Sequence, residues 1–177
     1  DHGVRAVGVE LGAVGPGQAD HVAGELDHGQ LHAQADAQVR HPVLARVADR
    51  GDLAFDIGAH VGDRVASFRR LGARVVAVEP QPALALALRT LFAFDRNVTV
   101  EQAAIARTPG QVELMINPDN PTISTASRDF IHAAEDADGW REQRWTRSVR
   151  VLATSLDALI DRHGRPSFIK IDVEGFE

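Results

Sequence analysis

The chain has 177 residues, which is enough for one domain with a sizeable hydrophobic core. Its formal net charge of −6 argues against binding to nucleic acid or to an anionic membrane surface. It contains no cysteine, which excludes disulfides and thiolate metal sites and agrees with a cytoplasmic location.

Residues 1–50 differ in composition from the rest of the chain. They hold five of the eight histidines and seven of the fifteen glycines, but no Phe or Trp, so they can bury little apolar surface. The histidines between positions 21 and 32 have the spacing of one helix face, but Gly24 and Gly29 weaken such a helix, and we predict no metal site. We interpret residues 1–50 as a poorly structured or atypical N-terminal segment, and we place the folded domain at residues 51–177.

The first clear pattern along the chain is a strand, a glycine loop and a helix. The short apolar run Leu53–Ile57 predicts a buried strand, and Gly58 and Gly62 then bracket a tight turn. Apolar residues recur after this turn with the spacing of one helix face, namely Val61, Val65, Phe68 and Leu71. Such a loop directs unpaired backbone N–H groups at an anion, and glycine permits a close approach or a positive φ.

Two acidic residues close the first two predicted strands. Asp56 lies at the end of the first, and Glu79 follows the second, Arg74–Val78. A carboxylate at that place can accept both hydroxyls of a ribose. The glycine spacing is G-x-x-x-G instead of the G-x-G-x-x-G of pyrophosphate sites, so a nicotinamide-dependent oxidoreductase is the disfavoured alternative. The loop and Glu79 together fit S-adenosylmethionine, which carries a ribose, one carboxylate and a cationic sulfonium that tolerates Asp56.

The remaining elements follow in α/β order. The segment 82–94 alternates like a strand, but its Ala and Leu content, its length and Pro82 in the first turn favour a helix. Beyond it the pattern predicts strands at 98–105, 111–116, 147–153 and 167–171, and helices at 124–138 and 154–163. The segment Thr154-Ser155-Leu156-Asp157 is predicted to cap the second of these helices. This order predicts one α/β sheet with the glycine loop at the carboxyl edge of its first strand.

Three motifs carry a family resemblance. D-I-G-A-H-V-G-D, V-V-A-V-E-P and F-I-K-I-D-V-E-G-F-E resemble the signatures of FkbM-type S-adenosylmethionine-dependent methyltransferases, over about residues 51–177. The resemblance implies a Rossmann-like methyltransferase fold, with a mostly parallel sheet and helices on both faces. It implies methyl transfer to a small-molecule acceptor, most often O-methylation of a secondary metabolite or a sugar. Because the family fold continues beyond the last motif, we expect a C-terminally incomplete domain, and a non-catalytic fragment is a further alternative.

The candidate site residues stand at the carboxyl ends of predicted strands, namely Asp56, Glu79, Gln102 and Asp172. In parallel α/β sheets, ligands bind beyond these ends. By resemblance, Gly58 to Gly62, with His60 between them, surround the methionine part of the cofactor, Glu79 binds the ribose, and Gln102 lies near the adenine. His60 stands where the family most often has asparagine. It could act as a base, but a hydrogen bond within its own turn is the favoured interpretation.

The resemblance also places Asp172 next to the transferred methyl group and the acceptor. Asp172 and Glu174 would share one face if the strand continues. They could act as the catalytic base, bind the acceptor or hold a divalent cation, and the metal is the least favoured of these roles. Lys170, in the middle of the last strand, is explained by an ion pair at least as well as by a function. Acceptor recognition is expected in the insertion that includes Thr122, Ser124, Arg128, Trp140 and Trp145.

Overall fold

The computed structural model describes residues 6–9, 51–137, 139–140 and 142–173. In chain order, these residues form β1 (Ala6–Val9), β2 (Leu53–Ile57), α1 (Asp63–Arg70), β3 (Arg74–Val78), α2 (Pro82–Leu91), β4 (Val98–Glu101), β5 (Ala104–Ile105), β6 (Gly110–Ile116), a 3₁₀ turn (Pro121–Ile123), α3 (Arg128–Asp136), β7 (Arg147–Thr154), α4 (Leu156–His163) and β8 (Phe168–Ile171). Each described helix is too short or too polar to cross a membrane. Apart from β1, the N-terminal segment lies outside the described residues, and so does Glu174.

A five-stranded parallel sheet forms the centre of the fold, in the order β1-β8-β2-β3-β4. β2 is its middle strand, and every residue of β2 is buried, as a continuous apolar run predicts. The prediction of a buried strand at Leu53–Ile57, away from the sheet edges, is therefore confirmed. Since parallel neighbours need a crossover connection, α1 joins β2 to β3 and α2 joins β3 to β4.

Helices cover both faces of this sheet. On one face the sheet packs against α1 and α2, through Ala54, Val75, Val65, Phe68 and Leu88. On the other face it packs against α4, through Phe55, Ile57, Val76 and Leu159. Successive residues of β2 alternate between the two cores, which is the period of two residues that a strand imposes. The expected fold class, α/β with a mainly parallel sheet and helices on both faces, is confirmed.

A second sheet contains three strands, in the order β5-β7-β6. β7 pairs in parallel with β5 and antiparallel with β6. The expectation of one sheet over residues 51–177 is wrong in this respect. The single predicted strand at 98–105 is also wrong, because the chain leaves the first sheet after Glu101 and joins β7 at Ala104. Alternating apolar residues have the same period in both sheets, so they do not indicate which neighbour a strand takes.

Two helices have other boundaries than the apolar spacing predicts. α1 begins at Asp63, so Val61 belongs to the preceding loop and is 45% exposed. α3 begins directly after Ser127, whose hydroxyl caps it, instead of at position 124. α4 begins behind Ser155, where the sequence placed its cap. A cap or a turn fixes where a helix starts, and apolar spacing alone does not.

β1 extends the central sheet beyond β8, with Gly8 opposite Lys170. The sequence predicted no strand among residues 1–50. Ala6–Val9 is short and contains a glycine, so it gives no periodic signal of its own.

Candidate active site

The loop that joins β2 to α1, called the glycine loop below, runs from Gly58 to Gly62. It lies against the carboxyl end of β3, where Gly58 and Ala59 both donate their N–H to the carbonyl of Val78, at 2.9 and 3.1 Å. Gly58, His60 and Gly62 have positive φ values of 79°, 48° and 92°. The loop therefore turns sharply at the edge of the sheet where ligands of such folds bind.

Both glycines of the loop are required by neighbouring parts of the protein. A Cβ on Gly58 would stand 1.8 Å from the carbonyl oxygen of Asp172, and one on Gly62 would stand 2.7 Å from the Cδ2 of Leu88. At Gly58 the neighbour is backbone and leaves no space for a side chain, whereas at Gly62 it is the end of the Leu88 side chain, which would have to shift. The positive φ disfavours a side chain at both positions. The sequence predicts a ligand against Gly58, whereas the contact found among the described residues is with the backbone that follows β8.

Glu79 follows β3 and is only 3% exposed. Its Oε2 accepts the backbone N–H of His60 at 2.8 Å, and its Oε1 accepts the backbone N–H of Gln81 at 2.9 Å. Burial raises the pKa of this carboxyl, and the two N–H groups counteract the rise. Glu79 thus holds the glycine loop to the end of β3, and each of its oxygens keeps a lone pair for another donor.

A charged cluster lies at the ends of β2 and β8. Asp56 and Lys170 are partners in the register of these strands, so their side chains project from the same face. The Lys170 ammonium donates to the carbonyl oxygen of Gly58 at 3.0 Å. It also lies 3.4 Å from Asp56 Oδ1 and 3.4 Å from Asp172 Oδ2. The structure therefore brings the predicted residues Asp56, Gly58 and Asp172 together around Lys170.

Asp56 is completely buried within this cluster. Neither of its carboxylate oxygens has a hydrogen-bond partner in the described part of the chain, although Lys170 is close enough for an ion pair. Burial raises the pKa of Asp56 to about 6, and the Lys170 charge offsets part of the rise. Asp56 is therefore ionised at pH 7 but close to its titration, which is common in functional sites.

His60 lies half-buried in the glycine loop. Its backbone N–H donates to Glu79, but the ring itself has no hydrogen-bond partner within the described residues. Burial lowers the pKa of the imidazole, so the ring is neutral at pH 7. The hydrogen bond that the sequence favoured for this side chain is not seen there, and the ring nitrogens remain available to a ligand.

Gln102 and Glu101, at the end of β4, have different surroundings. The amide oxygen of Gln102 accepts from Arg89 Nη1 at 3.0 Å, near the surface. Glu101 faces α4 instead, where its Oε1 lies 2.7 Å from His163 Nε2 and 3.5 Å from Arg162 Nε. Glu101 was not among the site residues predicted from the sequence. The predicted strand extends beyond Glu101, where β4 ends, and an error of one residue along a strand selects a side chain on the opposite face.

The insertion between β6 and β7 contacts the loop that follows β3. Gln81 Nε2 donates to the carbonyl of Pro121 at 3.1 Å. Trp145 donates its indole N–H to the 3₁₀ turn, at 2.9 Å. The ring of Phe130 packs edge-on against both Trp140 and Trp145. Aromatic residues of the insertion are therefore connected through Gln81 to the segment that contains Glu79.

The other three predicted recognition residues have different environments. Arg128 forms an exposed ion pair with Glu113 at 3.4 Å, and Thr122 donates a hydrogen bond to Asn120. The hydroxyl oxygen of Ser124 is buried and has no hydrogen-bond partner among the described residues. Ser124 therefore offers an unused hydroxyl, whereas the other two side chains are engaged within the protein.

A cavity of about 80 Å³ lies at the opposite edge of the sheet. It is lined by the amino ends of β2 and β3, together with Arg96 and His163. The cavity thus contains none of the predicted site residues.

No group of three or more His, Asp or Glu residues that could hold a metal ion occurs among the described residues.

The fold and these contacts define a class of protein. A parallel sheet with crossover helices, a glycine loop after its central strand and acidic residues at the carboxyl ends of adjacent strands is a Rossmann-like α/β domain. Residues 56–177 match the family described as Methyltransferase FkbM domain, and the chain belongs to this methyltransferase family. The family expected from the sequence motifs is therefore confirmed.

One solved structure with a similar arrangement is the C-terminal domain of precorrin-6Y C5,15-methyltransferase from Rhodobacter capsulatus. It shares 15% sequence identity with this chain and gives a TM-score of 0.30, over 73% of this chain and 89% of that one. At this TM-score, nothing about the site follows from the likeness. No curated protein matches the sequence.

Proposed function

We propose that the protein transfers a methyl group from S-adenosylmethionine to a hydroxyl of a small molecule. The proposal rests on one observation above all. In a chain of the FkbM methyltransferase family, Asp56, Glu79 and Asp172 lie at the carboxyl ends of adjacent parallel strands, beside the glycine loop. Glu79 contacts the loop directly, and Asp56 and Asp172 are joined to it through Lys170, which donates to Gly58. This is the edge at which α/β sheets bind their ligands.

The residues around the glycine loop fit the chemical groups of this cofactor. Glu79 keeps one lone pair on each oxygen, which suits the two neighbouring hydroxyls of a ribose. The N-cap residue of α1 is Gly62, which provides no side-chain cap, so the first turn of the helix can face the carboxylate of the methionine part. Gln102 uses its amide oxygen on Arg89 and keeps its NH₂ group for an adenine nitrogen. The negative side chains nearby suit a sulfonium cation.

When bound, the cofactor would supply an electrophilic methyl group on sulfur. The residues of this chain then have to position the acceptor, exclude water and take up the proton of the acceptor hydroxyl. Asp172 is the best placed base, because its carboxylate is partly exposed and is held next to the glycine loop by Lys170. His60, neutral at pH 7, is a second group in the loop that can accept a proton.

Ligand-induced stabilisation tests the cofactor assignment. At one hundred times its Kd, a ligand adds about 2.7 kcal/mol to the free energy of unfolding, or roughly 5–10 °C in Tm for a chain of this size. We expect S-adenosylmethionine and S-adenosylhomocysteine to raise the Tm in this way, and NAD⁺ to leave it unchanged. A rise with NAD⁺ and none with S-adenosylmethionine would favour the oxidoreductase instead.

Methyl transfer itself is tested with S-adenosylmethionine labelled at the methyl group. The protein is incubated with a panel of hydroxylated small molecules, including sugars, and products are detected by mass spectrometry as methylated acceptors. Asp172→Asn serves as the matched variant, since it has nearly the same volume but is a much weaker base. Cofactor binding without any methylated product across the panel would support the non-catalytic alternative.

A further inference from the structure

Lys170 is an exception in the composition of the chain. Of its 19 basic residues, Lys170 is the only lysine and all others are arginine. It is also buried, with 7% of its surface exposed, in the middle of β8. Lysine is rarely buried unless its charge is compensated. A chain that otherwise uses arginine therefore has a lysine at the one place where β8 meets the glycine loop.

The contacts of Lys170 explain why a lysine fits there. An ammonium has three N–H donors on one nitrogen, and three oxygens surround it. They belong to Asp56 on β2, to Gly58 in the glycine loop and to Asp172 after β8, at 3.4, 3.0 and 3.4 Å. One small cation thus contacts three separate segments at a single point.

An arginine would not reproduce this arrangement. Its guanidinium is planar and spreads five donors over a wide fork, whereas the ammonium is compact. The space is narrow, because a Cβ on Gly58 would already stand 1.8 Å from the carbonyl oxygen of Asp172. The glycine loop and the segment after β8 are in direct contact beside the ammonium.

We infer that Lys170 is a positioning residue for the cofactor site. Through its hydrogen bond to Gly58 it holds the glycine loop, and through its ion pair it holds the carboxylate of Asp172 at the same point. The cofactor loop and the proposed base are therefore fixed relative to each other. This inference rests on the proposed function, because the loop is taken to bind S-adenosylmethionine.

A purely structural role has a different consequence. If Lys170 only neutralised the buried charge of Asp56, removing both charges together would restore the site. The double variant Asp56→Asn/Lys170→Met does this with side chains of similar size, and Asp56→Asn alone is its matched control because it keeps the ammonium. Thermal unfolding shows whether the double variant is folded.

The first measurement is calorimetric titration with S-adenosylhomocysteine. We expect the double variant to be folded and to bind about ten-fold to a hundred-fold more weakly than Asp56→Asn, since a charge-assisted hydrogen bond to the loop is lost. Equal affinities of the two variants would overturn the inference while leaving the proposed function intact. If the parent protein does not bind S-adenosylhomocysteine, the proposed function fails and Lys170 is left with a role in the fold alone.

The second measurement observes the contacts without any ligand. Because the chain has one lysine, labelling with ¹³C,¹⁵N-lysine gives a single side-chain NMR signal. We expect a slowly exchanging NH₃⁺ signal that changes in Asp172→Asn, because the ammonium is held by its three oxygen neighbours. A signal typical of a mobile, solvent-exposed lysine, unchanged in Asp172→Asn, would refute the contacts and with them the inference.

Chemical rescue provides a further check, since the chain has no cysteine. Lys170→Cys can be aminoethylated in denaturant and refolded, which restores an ammonium on a side chain with the same number of atoms as lysine. Carbamidomethylation of the same variant adds a neutral group and is the control. We expect aminoethylation, but not carbamidomethylation, to return the affinity for S-adenosylhomocysteine to within about three-fold of the parent protein. Equal affinities of the two modified proteins would contradict a requirement for the ammonium.

Discussion

Asp56→Asn changes a buried carboxyl group to a neutral side chain of nearly the same shape. Asp56 is 0% exposed, and both of its oxygens lack a hydrogen-bond partner among the described residues. The Lys170 ammonium at 3.4 Å is the main charge that compensates it, and Arg64 adds a weaker attraction. Burial outweighs this attraction, because the pKa of Asp56 rises to about 6. The ionised form is therefore less favourable in the folded protein than in the unfolded chain.

The size and the sign of the effect follow from this pKa. It rises from 3.8 to about 6, and at 1.36 kcal/mol for each pH unit this is worth about 3 kcal/mol. Since the folded-state pKa is the higher one, the contribution of Asp56 to stability is fully present below pH 3.8 and is lost as the pH rises through about 6. The Asn variant has no such loss. Since a small part of the loss has already occurred at pH 4, its stability relative to the parent protein should increase by about 2 kcal/mol between pH 4 and pH 7.5.

Urea unfolding of both proteins at a series of pH values measures this difference. Asp56→Leu is a useful control, because it also lacks the carboxyl and must show the same pH dependence, whatever its absolute stability. The reasoning is refuted if the difference between Asn variant and parent does not change with pH. It is also refuted if the parent gains stability over the variant as the pH rises, since Lys170 would then overcompensate the burial.

Three further variants test other contacts. Gly58→Ala should be about 1–3 kcal/mol less stable than Gly51→Ala in urea unfolding. Both glycines have a positive φ, but only a Cβ at Gly58 would meet Asp172. Equal losses of stability in the two variants would disprove this close contact. Ser155→Ala should lower the Tm by roughly 2–4 °C, because α4 loses a cap worth about 1 kcal/mol, and an unchanged Tm would contradict this. Asp172→Asn should reduce turnover more than affinity for S-adenosylhomocysteine, whereas equal losses in calorimetry and in the methylation assay would argue against a base.

The sequence was sufficient for the central part of the fold because the signals there are local. The apolar run of β2, the glycines after it and the acidic residue after β3 lie within one short stretch, and strand and turn chemistry determine them directly. The same holds for the cap of α4 at Ser155. The structure places these elements where the sequence predicted them.

Features that depend on strand pairing could not be predicted in this way. The contact of Lys170 with Gly58 joins residues 112 positions apart, and it exists because β8 inserts beside β2 in a particular register. The separation of β4 from β5 and the different surroundings of Glu101 and Gln102 have the same origin. Periodicity indicates which residues alternate, but register decides which side chains meet.

The binding of S-adenosylmethionine by the glycine loop and Glu79 is tested most directly by calorimetric titration of the parent protein and Glu79→Ala. Asp161→Ala, an exposed acid on α4, serves as the control variant. We expect the parent and the control to bind S-adenosylmethionine and S-adenosylhomocysteine. Thermal unfolding is used to verify that Glu79→Ala is folded. This variant should bind both ligands about ten-fold to a hundred-fold more weakly than the parent, since a charge-assisted hydrogen bond to the shared ribose is worth about 1.5–3 kcal/mol. Binding of both ligands by Glu79→Ala with the affinity of the parent would contradict the assignment of this site.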